Sequence, residues 1–141
     1  EEYGHERWIL NDLKATGADP ERVKNAEPHW TTDAMVSVVY DHMQRYHPAA
    51  FFGMAHVLEG TSVQLATQAA HKVKERLELP NSAFSYLLSH GDLDQDHVKF
   101  FEDLMNQLTD VDAQQAVIRT ARSVYHLYGE MFRAIPSLAG E

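Results

Sequence analysis

Residues 89–97 read Ser-His-Gly-Asp-Leu-Asp-Gln-Asp-His, and within them His90, Asp94 and His97 form the pattern H-x3-D-x2-H. Because an α-helix turns by about 100° per residue, these three positions fall within roughly 60° of one another on a helix. Two imidazoles and one carboxylate on a single face are a ligand set that suits Fe, Mn or Zn. This stretch therefore predicts a helix that carries part of a metal site.

The same stretch has a second interpretation in which no metal is involved. Asp92 and Gln95 fit a capping box, which would start a helix here and place Asp94 in its first turn, where the helix dipole favours a carboxylate. Residues 90–91 would then end the preceding helix, and His97 would be a surface or core histidine. The two interpretations are compatible, since Asp92 can cap the helix while Asp94 binds metal.

The composition of the chain excludes several classes of function. Its 141 residues, 44% of them apolar, are enough for one domain with a real core, which we place over residues 1–141. A net charge of -9 with scattered basic residues argues against binding to nucleic acid or to an acidic membrane surface. The lack of cysteine excludes disulfides, thiolate metal sites and thiol nucleophiles. No apolar run has the length of a membrane span and no signal-peptide pattern is present, so we expect a cytoplasmic protein.

Helical periodicity and breaker residues predict an all-α fold, a compact bundle of long helices with short connections. The first helix should pack through Trp8, Ile9 and Leu13. The sequence begins in mid-helix, so we expect an upstream part of the protein to precede it. The predicted helices cover residues 1–16, residues 20–26, a segment capped within 31–33 and running to 46, residues 48–78, 83–88 and 92–108, and a last segment capped within 109–112 and running to 135.

Potential ligands occur on two further predicted helices. The first helix carries Glu2 and His5 in the spacing E-x-x-H, and the long middle helix carries Glu59. A carboxylate on an inward helix face is costly unless it is paired or bound to metal, and a bundle interior that receives Glu and His from several helices is how di-iron carboxylate sites are built. His56, one turn before Glu59, is a candidate for a hydrogen bond that orients this carboxylate. The helical neighbours that make the Glu59 face apolar are Ala55, Leu58, Val63 and Ala66.

In the order and intervals of these residues, the chain resembles the haem-oxygenase-like superfamily. Within it, the chain is most similar to the non-haem di-iron oxidase/oxygenase branch, the iron-containing redox enzymes that include CADD-like proteins. The resemblance rests on Glu-Tyr-Gly-His-Glu at residues 2–6, Val-Leu-Glu-Gly at residues 57–60 and the triplet at residues 90–97, which is its most specific element. It extends over residues 1–135 and implies a haem-oxygenase-like helical bundle that lacks its N-terminal helices in this chain.

The resemblance also implies a centre of two Fe ions without haem. One metal would take histidine and carboxylate ligands from the early helices together with His90, and the other would take Asp94 and His97, with carboxylates bridging. The carboxylate that precedes the first histidine in the family corresponds either to Glu2 or to a residue upstream of this chain. The implied activity is Fe(II)- and O2-dependent oxidation or oxygenation of a small organic substrate, without a nucleic-acid or membrane partner, and a homodimer is compatible with it. The implied ligand set is Glu2, His5, Glu59, His90, Asp94 and His97.

Relatives within the same superfamily perform different chemistry, so the fold alone does not decide the function. The thiaminase-like TenA branch uses a cysteine nucleophile, which this chain lacks. Cofactor-free PqqC-like oxidases, which use His, Tyr and Arg around an organic substrate, remain an alternative, as does a non-catalytic metal-binding helical protein. A ferritin-like centre is disfavoured because it needs a second Glu-x-x-His, for which Asp94-x-x-His97 is an imperfect substitute.

Overall fold

The computed structural model of the chain describes the backbone of residues 3–139 and the side chains of residues 3–89 and 99–136. All regular structure in the described backbone is helical, which confirms the predicted all-α class. None of the helices in this part of the chain is both long and apolar enough to cross a membrane. The cytoplasmic location stays a prediction. The elements are α1 (Glu6–Ala15), α2 (Pro20–Lys24), α3 (Trp30–Arg45), α4 (Ala50–Leu77), a 3₁₀ turn (Asn81–Ala83), α5 (Ser85–Asn106) and α6 (Val111–Ala139).

Several helix boundaries follow local signals in the sequence. Gly17, just after α1, adopts a positive φ of 85°, a conformation that glycine tolerates better than other residues. Asp19 caps α2 by accepting a hydrogen bond from the backbone N–H of Glu21 at 3.0 Å. Asp110 does the same for α6 by accepting from the N–H of Asp112 at 3.0 Å, as predicted. These caps act within two residues, so the local sequence is sufficient to reveal them.

Two other predicted boundaries are wrong. The N-cap of α3 is His29, whose ring accepts a hydrogen bond from the backbone N–H of Thr31, instead of a residue within 31–33. The last helix continues through Pro136 and ends at Ala139, where we expected it to stop at Ile135. Proline lacks the N–H that bonds to the preceding turn, but in the final turn this loss removes only one of the last hydrogen bonds of the helix.

The chain forms two compact units, each made from two separate stretches of sequence. The first unit consists of Glu1–Glu27 and Glu59–Val98, and the second unit consists of Pro28–Leu58 and Lys99–Glu141. Helices α4 and α5 therefore each contribute residues to both units. The prediction of a single domain over residues 1–141 stays a prediction.

In the first unit, the ends of three helices meet at a small apolar cluster, which we call the anchor cluster. Beside this cluster, Lys74 near the end of α4 donates a hydrogen bond from Nζ to Oδ1 of Asn81 in the 3₁₀ turn. These contacts fix the connection between α4 and α5 against the end of α1. The anchor cluster consists of the buried Ala70, Ala83 and Phe84, with Ala15, Leu79, Leu87 and Leu88 packed against them.

The second unit has a core formed by α3, α4 and α6. The backbones of two helices approach closely at Gly53 of α4, where an added Cβ would lie 2.5 Å from the carbonyl oxygen of Val117 and 2.7 Å from the amide nitrogen of Ala121. Only a residue without a side chain allows α4 and α6 to pack this closely. The core consists of the buried Met35, Val39, Val57 and Val124, with Met43, Met54, Ala121, Leu127 and Tyr128 packed against them.

A buried polar contact also joins α3 to α6 in the second unit. His42, 9% exposed, lies with Nδ1 2.9 Å from the hydroxyl Oγ1 of the fully buried Thr120. Burial lowers the pKa of His42 below its ordinary value of 6.5, with Arg119 and Arg45 acting in the same direction and Asp41 opposing them. The imidazole is therefore held neutral, and its hydrogen bond with Thr120 is part of the packing of α3 on α6.

Candidate metal centre

The H-x3-D-x2-H stretch lies inside one uninterrupted helix, because α5 begins at Ser85 and continues to Asn106. The predicted helix break at residues 90–91 and the capping box that begins at Asp92 are therefore wrong. Gly91 costs a helix interior only about 1 kcal/mol relative to alanine, which a helix of 22 residues accommodates. The rival interpretation of this stretch as a helix start is removed.

A single helix thus carries His90, Asp94 and His97, as a shared ligand face requires. The side chains of these residues, and Glu2 as a whole, lie outside the described residues. Among the side chains that are described, no three His, Asp or Glu residues come together as a group that could hold a metal. The ligand set implied by the resemblance therefore stays a prediction.

His5 lies at the start of α1, as its N-cap residue, and is half-buried. Its ring stacks on the indole of Trp8, with 4.3 Å between ring centroids and 21° between ring planes. Stacking on a large, half-buried aromatic side chain restricts the rotation of the imidazole. This contact limits the directions in which the ring nitrogens of His5 can point.

Glu59 lies in the interior of the long helix α4 and is half-buried, as the apolar character of its neighbours predicts. Of these apolar neighbours, Ala66 is 6% exposed, and Ala55, Leu58 and Val63 are half-buried. The backbone carbonyl of Glu59 accepts a hydrogen bond from the hydroxyl of Ser62 at 3.0 Å. A carboxylate in such surroundings is stabilised by a partner, and a metal ion is one that its chemistry suits.

His56 does not have the predicted role beside Glu59. It is exposed, and its ring stacks on Phe101 at a centroid distance of 5.4 Å and an interplanar angle of 23°. Both residues belong to the second unit, whereas Glu59 belongs to the first.

The three helices that carry the predicted ligands share the anchor cluster in the first unit. His5 and Glu59 precede the cluster residues of their helices, whereas residues 90–97 follow the cluster residues of theirs. On each helix, the predicted ligand positions therefore lie at some axial distance from the anchor cluster. At 1.5 Å per residue, the axial distances are about 15 Å from Ala15 to His5, about 16 Å from Ala70 to Glu59, and about 5 to 15 Å from Leu87 to residues 90–97.

The donor chemistry of these residues fits iron. His5 offers an imidazole nitrogen and Glu59 a carboxylate, and the triplet of α5 adds two imidazoles and another carboxylate. Neutral imidazole and carboxylate donors suit Fe, and the chain has no thiolate that would favour softer metals. The residues present can therefore hold iron by their chemical type.

Asp12 is a residue of structural importance that the sequence analysis missed. The predicted apolar face of α1 included Ile9, but Ile9 is 40% exposed, whereas Asp12 is only 7% exposed. Its carboxylate accepts hydrogen bonds from the hydroxyl of Ser85 and, at 2.8 Å, from the backbone N–H of Tyr86. Its burial could have been predicted from its position, because Asp12 lies one helical turn after Trp8 and therefore on the same, inward face of α1.

A comparison with known families assigns the chain. The family model described as "Iron-containing redox enzyme" matches residues 1–129, which is nearly the whole sequence. Neither the curated proteins nor the solved structures provide a match to the chain. The matched range includes every predicted ligand position from Glu2 to His97.

Proposed function

The chain belongs to the family of iron-containing redox enzymes, and from this premise we propose that it is an Fe(II)- and O2-dependent oxidase or oxygenase. The proposed centre contains two iron ions held by carboxylate and histidine side chains, and the proposed substrate is a small organic molecule. The family membership itself supports the coarser statement that the chain is an iron-containing oxidoreductase.

The observation that carries the proposal is the shared anchoring of the three helices with predicted ligands. All of these positions belong to the first unit, and each is about one to three turns from the anchor cluster. A bundle interior supplied with carboxylates and histidines from several helices is the construction that di-iron carboxylate sites use. The second unit contains none of the predicted ligands.

Each ligand has a defined part in the proposed centre. His5, with its ring stacked on Trp8, would bind one iron through a ring nitrogen. Glu59 would supply a carboxylate from α4, and His90, Asp94 and His97 would complete the centre from α5. Glu2 is the sixth proposed ligand.

Iron held by these residues would supply the redox chemistry towards O2. The chain itself must keep the ligand side chains in fixed directions and limit the access of water. Stacking on Trp8 restricts the His5 ring, and the apolar neighbours of Glu59 reduce the hydration of its carboxylate. Both effects favour metal binding over solvation of the free ligands.

The test is anaerobic loading of the full chain with Fe(II), followed by desalting and metal analysis. We expect about two Fe per chain in the native protein, as a di-iron centre requires. The variants Glu59→Gln and His97→Ala should retain about one Fe or less, because each removes a ligand. Consumption of O2 after loading should fall in parallel.

Two substitutions serve as matched controls. Glu75→Gln changes an exposed glutamate on the same helix as Glu59, and His71→Ala removes an exposed histidine of the first unit. Both should keep the native iron content. A native protein that retains no iron, and whose O2 consumption is unaffected by His97→Ala, would contradict the proposal. O2 consumption with candidate substrates after exhaustive chelation would instead support a cofactor-free oxidase.

A further inference from the structure

Asp12 forms a cap on a helix that is far away in the sequence. Its carboxylate accepts from the Ser85 hydroxyl and from the Tyr86 N–H, which are 73 and 74 residues away in the chain. Ser85 and Tyr86 are the first two residues of α5. Backbone N–H groups in the first turn of a helix have no partner within the helix, and the helix dipole favours a negative charge there.

The caps of α2 and α6 show how unusual this arrangement is. Asp19 and Asp110 each accept from the N–H two residues later in the chain, and both are exposed. Asn81, which begins the preceding 3₁₀ turn, instead uses its side chain to accept from Lys74. A local cap stabilises one helix, whereas the bonds of Asp12 also hold α1 against the start of α5.

The position of these bonds relates them to the predicted ligands. Asp12 follows His5 by seven residues, so both lie on one face of α1, about 10 Å apart along the axis. Ser85 precedes His90 by five residues, or about 7 Å along α5. The Asp12 bonds therefore join the two helices that carry His5 and the H-x3-D-x2-H triplet, about two turns or less from the nearest ligand on each.

We propose that Asp12 is a positioning residue for the metal centre, because it fixes the axial register of α1 against α5. This inference rests on the proposed function. The anchor cluster is apolar and contributes small side chains such as Ala15 and Ala83, which packing alone holds in place. The directional hydrogen bonds of Asp12 select one register among those that apolar packing allows.

The register determines whether ligands from the two helices can bind the same ion. A slip of one residue along a helix moves a ligand by about 1.5 Å and turns it by about 100°. We expect loss of the Asp12 bonds to weaken metal binding by about tenfold or more, the loss typical when groups that orient ligands are removed.

The experiment compares Asp12→Asn, Ser85→Ala and Ser85→Thr in the full chain, with Asp19→Asn as the matched control for removing the charge of a capping aspartate. Hydrogen exchange of the Tyr86 amide in the metal-free protein measures the bond to Asp12 directly. Titration with Co(II), used as a spectroscopic probe for iron, gives the affinity and the ligand-field spectrum. Circular dichroism confirms that each variant is folded.

We expect Asp12→Asn to accelerate exchange of the Tyr86 amide, to weaken Co(II) binding at least tenfold and to change the Co(II) spectrum. Ser85→Ala should shift all three readouts in the same direction by a smaller amount, and Ser85→Thr, which keeps the hydroxyl, should restore them. Asp19→Asn should leave all three at their native values. If Asp12→Asn does not fold, the Ser85 pair carries the test.

Two results would overturn the inference without affecting the proposed function. One is native-like protection of the Tyr86 amide in Asp12→Asn, which would show that the bond does not hold the helix start. The other is native Co(II) affinity and spectrum in a variant with a deprotected Tyr86 amide, which would limit Asp12 to folding stability. A native protein that binds neither Co(II) nor Fe(II) would overturn the proposed function, and the positioning role with it.

Discussion

Each of the two units joins a pair of helices through a buried polar side chain, but the two side chains differ in their chemistry. In the first unit, the buried carboxylate of Asp12 joins α1 to the start of α5. In the second unit, the buried imidazole of His42 joins α3 to α6 through the hydroxyl of Thr120 at 2.9 Å. The carboxylate accepts from an N–H group at the start of α5, whereas the neutral imidazole lies in the last turn of α3 and bonds to a hydroxyl in the interior of α6.

The two units also differ in what fixes the relative positions of their helices. Among the described residues, the second unit combines a core that includes Met35 and Val124 with the close approach at Gly53, and it carries no predicted ligand. The first unit carries the predicted ligands, and its anchor cluster combines three alanines with three leucines and Phe84. Directional hydrogen bonds compensate for an apolar contact that fixes helix register only weakly.

The largest effect should come from Gly53→Ala in the second unit. The added methyl group would overlap the backbone of α6 at Val117 and Ala121, neither of which can move without shifting the helix. We expect a loss of about 3 kcal/mol in the free energy of unfolding, at the upper end for overpacking. Urea unfolding of the metal-free protein measures it.

The matched control is Gly60→Ala, on the same helix but in the first unit. Apart from the adjacent residues and the backbone of its own helix, no heavy atom of the described residues lies within 4 Å of an added Cβ there. Alanine is favoured over glycine in a helix interior, so we expect a gain of about 0.5–1 kcal/mol. Equal effects of the two substitutions would show that α4 does not approach α6 as closely as described.

A smaller effect is expected for Thr120→Val, which keeps the shape of the side chain but removes the hydroxyl. It leaves Nδ1 of the buried His42 without its partner, at a cost of about 1–3 kcal/mol in stability. Thr67→Val, at a less buried position of α4, should change stability by less than about 0.5 kcal/mol. Both variants should bind as much iron at saturation as the native protein. A loss of iron in Thr120→Val would contradict the assignment of the predicted metal centre to the first unit alone.

The smallest effect should be the pH dependence contributed by His42. Burial lowers its pKa in the folded chain below the 6.5 of the unfolded chain, so between these two values the unfolded chain binds a proton that the folded chain does not. Stability from this group is complete above about pH 6.5 and is lost as the pH falls through that window. Denaturant unfolding at pH 7.5, 6.5 and 5.5 should show a steeper decline in the native protein than in His42→Gln. Parallel curves would show that His42 is not held neutral by the fold.

Much of the fold could be predicted because its signals are local. The all-α class follows from helical periodicity, and the cap of α6 follows from Asp110, which bonds to an N–H two residues away. The continuity of α5 could not be predicted in this way. Gly91 and Asp92 resemble a helix end followed by a new start, but a local preference of about 1 kcal/mol does not outweigh the continued packing and hydrogen bonding of a long helix.

The sequence by itself determined the helical class, the spacing of the H-x3-D-x2-H triplet and the resemblance of the chain to iron-containing redox enzymes, because these depend on residue types and on their intervals along the chain. Only the tertiary structure decided that Asp12 is buried and Ile9 exposed, and that the anchor cluster joins the helices with predicted ligands. The environment of Asp12 is made by residues 73 and 74 positions away, and no local pattern encodes such a partner. A carboxylate that the sequence places on an ordinary helix thus becomes the contact that fixes how α1 meets α5.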